Sequence, residues 1–444
     1  MKSGIVAIVG RPNVGKSTLF NRLTGHRLSI VEDVPGVTRD RVYGECEWCG
    51  SRFSIIDTGG IELEAQDGMY PLMLKQAEAA VASADVIVFV TDAKFGLTSS
   101  DYDVADFLRK CGKPVILCVN KTDGKNKAAI FDFYALNLGQ IFDISAEQGS
   151  GVGDLLDEIV LNLKESVEKE DTDALKIAIV GKPNAGKSSI LNKFAGFERV
   201  IVSPIAGTTR DAIDERITCD GKDYIITDTA GIRKKARVDE NVEYYSVVRA
   251  FSAIKRSDAV AVILDAEEGL TDQDVKIAGF VHNDGKPSVI VVNKWDLIEK
   301  DTHTAEKFTN KLKEDLKFMD YFLVIYVSAL TGKRLPLILK EAERAYKNAH
   351  KFIKTGILND VIGDAIAVNE PPHKNGKKLK INFTRQVENL APPTFDFFVN
   401  DPEIVHFSYK RFLENTLRKS FGFEGTPIRL RFKIAGENSD NKKK

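Results

Sequence analysis

The sequence has little cysteine, little tryptophan and no long hydrophobic stretch. Its 444 residues include 5 cysteines and 2 tryptophans, and a small, odd number of cysteines argues against a disulfide scaffold. The longest apolar runs, such as Val86 to Val90, fall far short of the roughly 18 residues that a membrane helix needs. The apolar run at the start of the sequence is also too short for the apolar core of a signal peptide. We therefore expect a cytoplasmic protein with reduced thiols and no membrane partner.

Charge is balanced overall but unevenly distributed along the chain. The sequence holds 63 Lys and Arg against 64 Asp and Glu. Residues 351–444 hold 17 basic against 11 acidic side chains, whereas residues 1–350 hold 46 against 53. The length predicts about three domains. The basic C-terminal part is expected to face a polyanion, and RNA is the expected partner, although a solvated basic face would give the same count.

The chain contains one pattern of motifs twice. Gly10 to Ser17 (GRPNVGKS) recurs as Gly181 to Ser188 (GKPNAGKS), 171 residues later. The later motifs recur in the same order: Thr38-Arg39-Asp40 and Thr209-Arg210-Asp211, Asp57 to Gly60 and Asp228 to Gly231, Asn120 to Asp123 and Asn293 to Asp296, Ser145-Ala146 and Ser328-Ala329. Short β-branched runs precede the motifs and alternate with helical stretches. This pattern predicts, in each repeat, an open α/β fold with a mostly parallel sheet and helices on both faces.

Each repeat begins with a predicted phosphate-binding loop. The pattern G-x-x-x-x-G-K-S between a strand and a helix lets backbone N–H groups cradle phosphates, brings Lys16 and Lys187 to the β/γ oxygens, and offers the Ser17 and Ser188 hydroxyls to Mg²⁺. A glycine turn without a ligand is the alternative. The expected contacts are Gly10, Arg11, Pro12, Asn13, Val14, Gly15, Lys16, Ser17 and Thr18, and Gly181, Lys182, Pro183, Asn184, Ala185, Gly186, Lys187, Ser188 and Ser189.

Two further motifs in each repeat are typical of a nucleotide switch. Asp57 and Asp228 can reach Mg²⁺ while the following glycines face a γ-phosphate. Thr38 and Thr209 can close on the metal only while a γ-phosphate is present, or they are ordinary solvated loop residues. The expected contacts are Asp57, Thr58, Gly59, Gly60, Ile61, Asp228, Thr229, Ala230, Gly231 and Ile232. We assign catalysis to Lys16, Thr38, Gly60, Lys187, Thr209 and Gly231, and Mg²⁺ binding to Ser17, Thr38, Asp57, Ser188, Thr209 and Asp228.

The N-K-x-D motifs indicate that the base is guanine. The Asp123 and Asp296 carboxylates match the N1–H and amino donors of guanine, a donor pair that adenine lacks. We expect Asn120 and Asn293 to face acceptors on the base and the stems of the two motif lysines to lie along its ring. The remaining expected contacts are Lys121, Thr122, Ser145 and Ala146, and Lys294, Trp295, Ser328 and Ala329.

The residue after the D-x-x-G motif departs from Ras-type proteins, which place a glutamine there. Ile61 and Ile232 stand at this position, and an aliphatic side chain cannot orient water. Another charge must therefore stabilise the transition state. Asn13 and Asn184 are candidates to hold potassium there, although an asparagine also suits a left-handed turn position.

The last third has a different pattern. It predicts a helix (361–368), strands (379–387 and 394–399), a helix (409–421) and a strand (428–432), with one basic cluster around the first strand and another on the second helix. These basic residues are Lys374, Lys377, Lys378, Lys380 and Arg385, and Lys410, Arg411, Arg418 and Lys419. In the first repeat, Cys46-Glu47-Trp48-Cys49 has no second cysteine pair, and we interpret it as part of a β-hairpin, not a metal site.

In this order, the motifs resemble the EngA/Der family of bacterial ribosome-assembly GTPases over essentially the whole chain. The resemblance implies two tandem P-loop GTPase domains (1–163 and 175–350) around an acidic linker (164–174), then a small α+β KH-like domain (351–436) and a basic tail (437–444). It implies GTP or GDP with Mg²⁺, potassium-stimulated hydrolysis at Asn13 and Asn184, and a monomer that binds the large ribosomal subunit and its rRNA, not DNA. The only G-x-x-G string, Gly422 to Gly425, precedes the final strand, so the usual KH clamp is not expected.

Two other functions fit parts of the pattern. A tRNA-modification GTPase would share the phosphate loops but needs a reactive C-terminal cysteine, and the last cysteine is Cys219. A nucleotide-locked RNA-binding scaffold would require that one repeat no longer turns over. The repeats also differ after the D-x-x-G motif, where Glu62 and Glu64 oppose Arg233, Lys234 and Lys235. We therefore expect one domain to regulate while the other engages RNA.

Overall fold

The structure is a computed structural model. It describes residues 2, 4–25, 43–57, 78, 84–123, 127–163, 174–194, 200–204, 214–227, 250–299, 301–374 and 376–434. The chain divides into two compact units, Met1–Thr172 and Asp173–Lys444. Among the described residues, no helix is long and apolar enough to cross a membrane.

The first repeat folds around a six-stranded sheet. Its strands are β1 (Ile5–Val9), β2 (Tyr43–Trp48), β3 (Ser51–Asp57), β4 (Val86–Asp92), β5 (Val115–Asn120) and β6 (Ile141–Asp143). The described helices are α1 (Lys16–Thr24), α2 (Ser99–Lys110) and α3 (Val152–Asn162), with a 3₁₀ helix at Lys127–Leu136. The sheet order is β2-β3-β1-β4-β5-β6, and each neighbouring pair is parallel except the β2–β3 hairpin.

The second repeat has the same strand order with one more edge strand. Its strands are β7 (Leu175–Val180), β8 (Val200–Pro204), β9 (Glu215–Cys219), β10 (Lys222–Thr227), β11 (Ala259–Asp265), β12 (Ser288–Asn293) and β13 (Leu323–Tyr326). Its described helices include α4 (Lys187–Phe194), α5 (Asp272–Asn283), α6 (Thr304–Asp315) and α7 (Pro336–Ala349), and residues 250–256 are also helical. The order is β13-β12-β11-β7-β10-β9-β8, with β8, β9 and β10 antiparallel.

Both sheets are buried on two faces. Every residue of β4 and β11 is buried, and apolar clusters lie on each side of the second sheet. Parallel strands covered on both faces need apolar side chains at consecutive positions, which is why these strands are continuous β-branched runs. The polar motif residues follow at the carboxyl ends of the strands, and they therefore meet at one edge of each sheet. This confirms the expected α/β architecture.

The C-terminal domain is a small α+β fold. Its elements are α8 (Thr355–Val368), β14 (His373–Lys374), β15 (Lys377–Lys378), β16 (Ile381–Gln386), β17 (Thr394–Val399), α9 (Phe407–Phe421) and β18 (Arg429–Ile434). Strands β16 and β17 are antiparallel, and β17 and β18 are parallel. The αββαβ order is confirmed for the longer elements, but the short β14–β15 hairpin was not predicted, and α8 begins six residues earlier than expected. Gly356 and Gly363 weaken the local helix signal, while burial of Leu358 and Ile362 stabilises the helix.

Candidate nucleotide sites

The phosphate-binding loops lie between β1 and α1 and between β7 and α4. Gly15 and Gly186 have φ angles of 95° and 96°, a region that favours glycine. A Cβ atom at Gly10, Gly15, Gly181 or Gly186 would also collide with a neighbouring strand or with the asparagine of the base motif. Glycine is therefore required at these positions, and the loop backbone has the shape of a phosphate cradle.

The two loop lysines lie folded over their own loops. The Lys16 ammonium donates hydrogen bonds to the carbonyl oxygens of Gly10 (2.7 Å) and Arg11 (2.8 Å). Lys187 makes the equivalent two bonds in the second loop. Burial lowers the pKa of Lys16 to about 8, and the nearby Asp57 carboxylate opposes this shift. Each ammonium therefore lies inside the loop that would hold the phosphates.

The residues present in the first repeat fit a magnesium ion. The Ser17 hydroxyl donates a 2.7 Å hydrogen bond to Oδ2 of Asp57, which is 1% exposed. A hydroxyl and a carboxylate side by side are hard oxygen ligands of the kind that Mg²⁺ prefers. Ser188 stands at the same position on α4, while its expected partner Asp228 lies outside the described residues.

One carboxylate oxygen of the second base motif has no hydrogen-bond donor among the described residues. Oδ1 of Asp296 is buried, and no described residue donates to it. Asp296 also lines a cavity of about 560 Å³, together with Trp295, Ser328, Lys333 and Arg334. A buried carboxylate oxygen without a donor is costly. The N1–H and amino groups of guanine would supply the missing donors.

The first base motif has a different neighbour. Oδ2 of Asp123 lies 3.2 Å from the Lys94 ammonium, and this hydrogen bond lowers the pKa of Asp123. The equivalent of Lys94 in the second repeat is Glu267, which is acidic. The two aspartates that we expect to read guanine therefore have different electrostatic surroundings.

The motif asparagines have a structural role that we did not expect. Nδ2 of Asn120 donates to the carbonyl oxygen of Val14 (2.8 Å), and its Oδ1 accepts from the N–H of Ala146 (2.9 Å). Asn293 makes the same two bonds in the second repeat. Both ends of each amide are thus bonded to backbone. Each Nδ2 carries a second N–H, so contact with an acceptor on the base stays a prediction. These asparagines join the phosphate loop to the Ser-Ala loop.

The motif lysines are held at their charged ends. Lys121 donates to the Asn13 carbonyl oxygen (2.7 Å) and pairs with Asp92 (2.7 Å). Lys294 pairs with Asp265 at 2.5 Å. These contacts fix the direction of each lysine stem, and the covering of the base ring by the stems stays a prediction.

Asn13 and Asn184 both adopt a left-handed backbone conformation. Their φ angles are 67° and 64°, which is the turn position that asparagine tolerates better than most residues. The conformational explanation therefore holds for both residues. Binding of potassium by their side chains stays a prediction.

Several predicted contacts lie outside the described residues. They are Thr38, Thr58, Gly59, Gly60, Ile61, Thr209, Asp228, Thr229, Ala230, Gly231 and Ile232, together with the basic segment from Arg233 to Arg237.

One contact that occurs in both repeats was not predicted from the sequence. Thr98 and Asp101 form a capping box at the start of α2, and the buried Asp101 lies 3.7 Å from Arg11. In the second repeat, Asp274 of the equivalent box on α5 lies 3.7 Å from Lys182. The signal was present, because the string D-A-x-x-G-L-T-x-x-D occurs in both repeats, at 92–101 and 265–274. The second residue of each phosphate loop is thereby held next to the start of α2 or α5.

The cysteine pair lies on a hairpin, as expected. Cys49 and Gly50, between β2 and β3, have φ angles of 45° and 76°, and Asp220 and Gly221 repeat this turn with 50° and 78°. Cys46 is buried and Cys49 is exposed, and both are free thiols. Within the described part of the chain, no group of three or more potential metal-binding side chains is found.

The G-x-x-G string of the C-terminal domain is used for docking. The Gly425 carbonyl accepts from the Ser288 N–H, and the Gly425 N–H donates to the Tyr321 carbonyl, both at 2.7 Å. Phe423 is fully buried, and Arg344 pairs with Glu424. The loop therefore packs against the second repeat through Gly425, while Gly422 and Glu424 are exposed.

Arg418, which we expected to bind RNA, is instead bonded within the protein. Its guanidinium donates to the carbonyl oxygens of Phe423 (3.1 Å) and Thr426 (2.9 Å), pairs with Glu414, and lies 4.6 Å from the ring centre of Tyr321. Its side chain is only 13% exposed. Arg418 stabilises the docked loop.

Comparison with known proteins agrees with the sites. A family described as "50S ribosome-binding GTPase" matches residues 5–121 and 176–294. A family described as "KH-domain-like of EngA bacterial GTPase enzymes, C-terminal" matches residues 353–433. The Elongation factor Tu GTP binding domain family matches residues 242–355. Two tandem P-loop GTPase domains are thus followed by a KH-like domain, and the protein is a GTPase.

Relatives match over nearly the full chain. The GTPase Der of Alkaliphilus oremlandii is 53% identical over 433 residues, which cover 97% of this chain and 98% of the relative. The GTPase Der of Halothermothrix orenii is 53% identical over 436 residues, covering 98% and 99%. Among solved structures, an Era variant of Aquifex aeolicus bound to GDP and AlF4⁻ is 29% identical, with a TM-score of 0.31, over 48% of this chain and 76% of that chain. The chain belongs to the Der (EngA) family of GTPases.

Proposed function

We propose that this GTPase acts in the assembly and stability of the large ribosomal subunit, and that its nucleotide state gates binding to the subunit and its rRNA. The observation that carries the proposal is the combination of two sets of guanine-nucleotide motifs with a C-terminal domain in which basic side chains outnumber acidic ones. The family description "50S ribosome-binding GTPase" supports the partner.

The chemistry assigned to each repeat follows from its side chains. Lys16 and Lys187 neutralise charge on the β/γ oxygens, and the loop glycines bring backbone N–H groups to the same phosphates. When bound, Mg²⁺ would be held by Ser17, Thr38 and Asp57, and by Ser188, Thr209 and Asp228, and it would stabilise negative charge on the phosphates. Asn13 and Asn184 would hold potassium beside them. In this proposal Thr38 and Thr209 order only with a γ-phosphate, so hydrolysis releases the switch loops.

We also propose a cytoplasmic monomer with the domain limits 1–163, 175–350 and 351–436. The division of the chain between Thr172 and Asp173 falls inside the acidic linker, and this supports the first boundary. The start of the C-terminal family match at residue 353 supports the second.

The test is sedimentation of the purified full chain with isolated large subunits. We expect association with a non-hydrolysable GTP analogue to exceed that with GDP or with no nucleotide, and small subunits serve as the control. Lys16→Ala and Lys187→Ala report which repeat gates binding, and we expect each to weaken it. Equal sedimentation in all three nucleotide conditions at every salt concentration would overturn the proposal.

A further inference from the structure

One face of the three-stranded sheet in the C-terminal domain is covered by helices, and the other has no described helix packed on it. Phe395, Phe397 and Val399 of β17 point into the core beneath α8 and α9. Because strand side chains alternate between faces, Asp396 and Phe398 point to the opposite face. That opposite face is composed of aromatic and charged side chains.

Two aromatic rings and a guanidinium lie side by side on that face. Phe383 of β16 is 43% exposed, although it is a large apolar residue. Its ring centre lies 6.0 Å from that of Phe398, with 35° between the planes. The Arg385 guanidinium carbon lies 5.4 Å from the ring centre of Phe398. Exposed flat groups of this kind are suited to stacking on a planar ligand.

Beside the rings, one buried carboxylate gathers three cations. The side chain of Asp396 is 1% exposed; Nε of Arg431 (2.6 Å) and Nζ of Lys433 (2.8 Å) donate to it, and Arg385 lies 3.6 Å away. Burial opposes ionisation of Asp396, but the hydrogen bonds from Lys433 and Arg431 outweigh it and hold the pKa of Asp396 below its usual value. The three cations remain 34% to 48% exposed. The face thus keeps a net positive charge.

We propose that this face binds single-stranded RNA, with Phe383 and Phe398 stacking on bases and Arg385, Arg431 and Lys433 contacting phosphates. We call these five residues the sheet platform. The proposal rests on the proposed function, because it identifies where the C-terminal domain engages rRNA. Rings beside cations are the combination with which proteins bind single strands. The alternative G-x-x-G string is partly covered, because Gly425 is bonded to the second repeat and Phe423 is buried.

The occupant is a single strand and not a duplex, for a structural reason. A duplex keeps its bases stacked inside, so it offers phosphates to the cations but no ring face to Phe383 and Phe398. A duplex should therefore lose the aromatic contribution and retain only the salt-dependent one.

The test compares binding of the full chain to a 12-nucleotide unstructured RNA that carries 2-aminopurine, and to the same strand in a duplex. Phe383→Leu and Phe398→Leu keep apolar volume but remove the ring. We expect each to weaken single-strand binding about tenfold and to leave duplex binding unchanged. The 2-aminopurine quenching that the parent chain causes should also decrease. Thermal unfolding confirms that each variant is folded.

A charge-matched pair tests the cations. Arg385→Gln should weaken RNA binding and lower the slope of log affinity against log salt by about 0.7. Lys354→Gln removes the same charge from an exposed lysine at the start of α8, which packs on the covered face, and should change neither.

Two results separate this inference from the proposed function. Unchanged single-strand binding by both leucine variants, or equal affinity of the parent chain for single strand and duplex, would overturn the platform. Nucleotide-gated sedimentation with large subunits that persists in these variants would then leave the proposed function standing. Conversely, platform-dependent binding of the short RNA together with sedimentation that ignores nucleotide would support the platform and overturn the gating.

Discussion

Asp123 and Asp296 occupy the same motif position but meet different neighbours. Asp123 accepts a hydrogen bond from Lys94, whereas Oδ1 of Asp296 is buried with no donor among the described residues. A buried carboxylate oxygen without a donor can accept a hydrogen bond from a ligand, as we expect of an aspartate that reads guanine. The second site therefore gives the stronger structural argument for guanine.

Replacing these aspartates should change base preference. Asp123→Asn or Asp296→Asn puts an amide N–H₂ where guanine also presents donors, and this suits the carbonyl of xanthine instead. We expect the altered site to lose about 1–3 kcal/mol of GTP affinity for each donor left unpaired, and to gain XTP binding. Calorimetric titration of the full chain measures the stoichiometry for each nucleotide. Two GTP sites of unchanged affinity would contradict the assignment.

We expect nucleotide binding at alkaline pH to be coupled to the uptake of a proton by the Lys16 amine. Burial lowers its pKa to about 8 in the free protein, and phosphate oxygens beside the ammonium favour its charged form and raise that pKa. At pH 8.5 about three-quarters of free Lys16 is neutral, whereas at pH 7 it is already protonated. GDP titrations in buffers of different ionisation enthalpy should therefore show uptake at pH 8.5 and almost none at pH 7. Lys16→Arg keeps a permanent charge and serves as the control, and buffer-independent heats at pH 8.5 would argue against this.

Potassium stimulation can be separated from backbone conformation at Asn13. Asn13→Ala removes the amide and strains a φ of 67°, whereas Asn13→Gly removes the amide but accepts that backbone. If the amide binds potassium, both variants should lose the excess of the potassium rate over the sodium rate at the first site, with GDP binding largely retained. Asn184 offers the same pair at the second site. Full stimulation in the glycine variant would show that the role is conformational.

Among the elements, the loop between α9 and β18 controls how the C-terminal domain is held. Gly425 has a φ of 75°, and a Cβ there would lie 2.7 Å from Cβ of Ala345 and 3.0 Å from a methyl group of Leu323. Gly376 has a φ of 76° with nothing within 4 Å of such a Cβ. The two glycines share a backbone conformation and differ in what surrounds them.

This pair gives a matched test of docking. Gly376→Ala should cost about 1 kcal/mol of unfolding free energy from backbone strain alone. Gly425→Ala should cost about 1–3 kcal/mol more, because the added methyl group forces the loop away from the second repeat. Denaturant unfolding measures both, and hydrogen exchange at the Ser288 amide reports the docking bond. Equal losses in the two variants would mean that the loop is not tightly packed.

The elements differ in how far the sequence could predict them. The phosphate loops and the Cys49-Gly50 turn follow from short-range patterns, since glycine and turn chemistry act over a few residues. The bonds of Asn120 could not be predicted, because their partners Val14 and Ala146 are distant in sequence and near only in the fold. The docking of Gly422 to Gly425 was missed for the same reason. A G-x-x-G string looks alike whether its neighbour is RNA or protein.

For the whole molecule, the excess of basic residues after residue 350 should appear as salt dependence. Charge reversal at Lys377 and Lys378, exposed on the β14–β15 hairpin, should lower the slope of log affinity for rRNA against log salt by about 0.7–0.9 for each phosphate that is no longer neutralised. Reversal of Lys311 and Lys313, exposed on α6, removes the same charge from a domain that we expect to contribute less. Filter binding across salt concentrations measures both. Equal slopes of log affinity against log salt for the two double variants would contradict a role for the hairpin.

The docked loop also affects the order in which the protein is made. Tyr321, Leu323 and Ala345 belong to the second repeat, but Gly425, which packs against them, lies about 80–105 residues later. It is therefore synthesised about 4–20 s afterwards, at roughly 5–20 residues per second. During that interval the docking surface around Ser288 and Tyr321 on the nascent second repeat is not yet covered by the loop. Its folding on the translating ribosome is thus complete only when the last domain emerges, and chaperones have a defined window in which to bind.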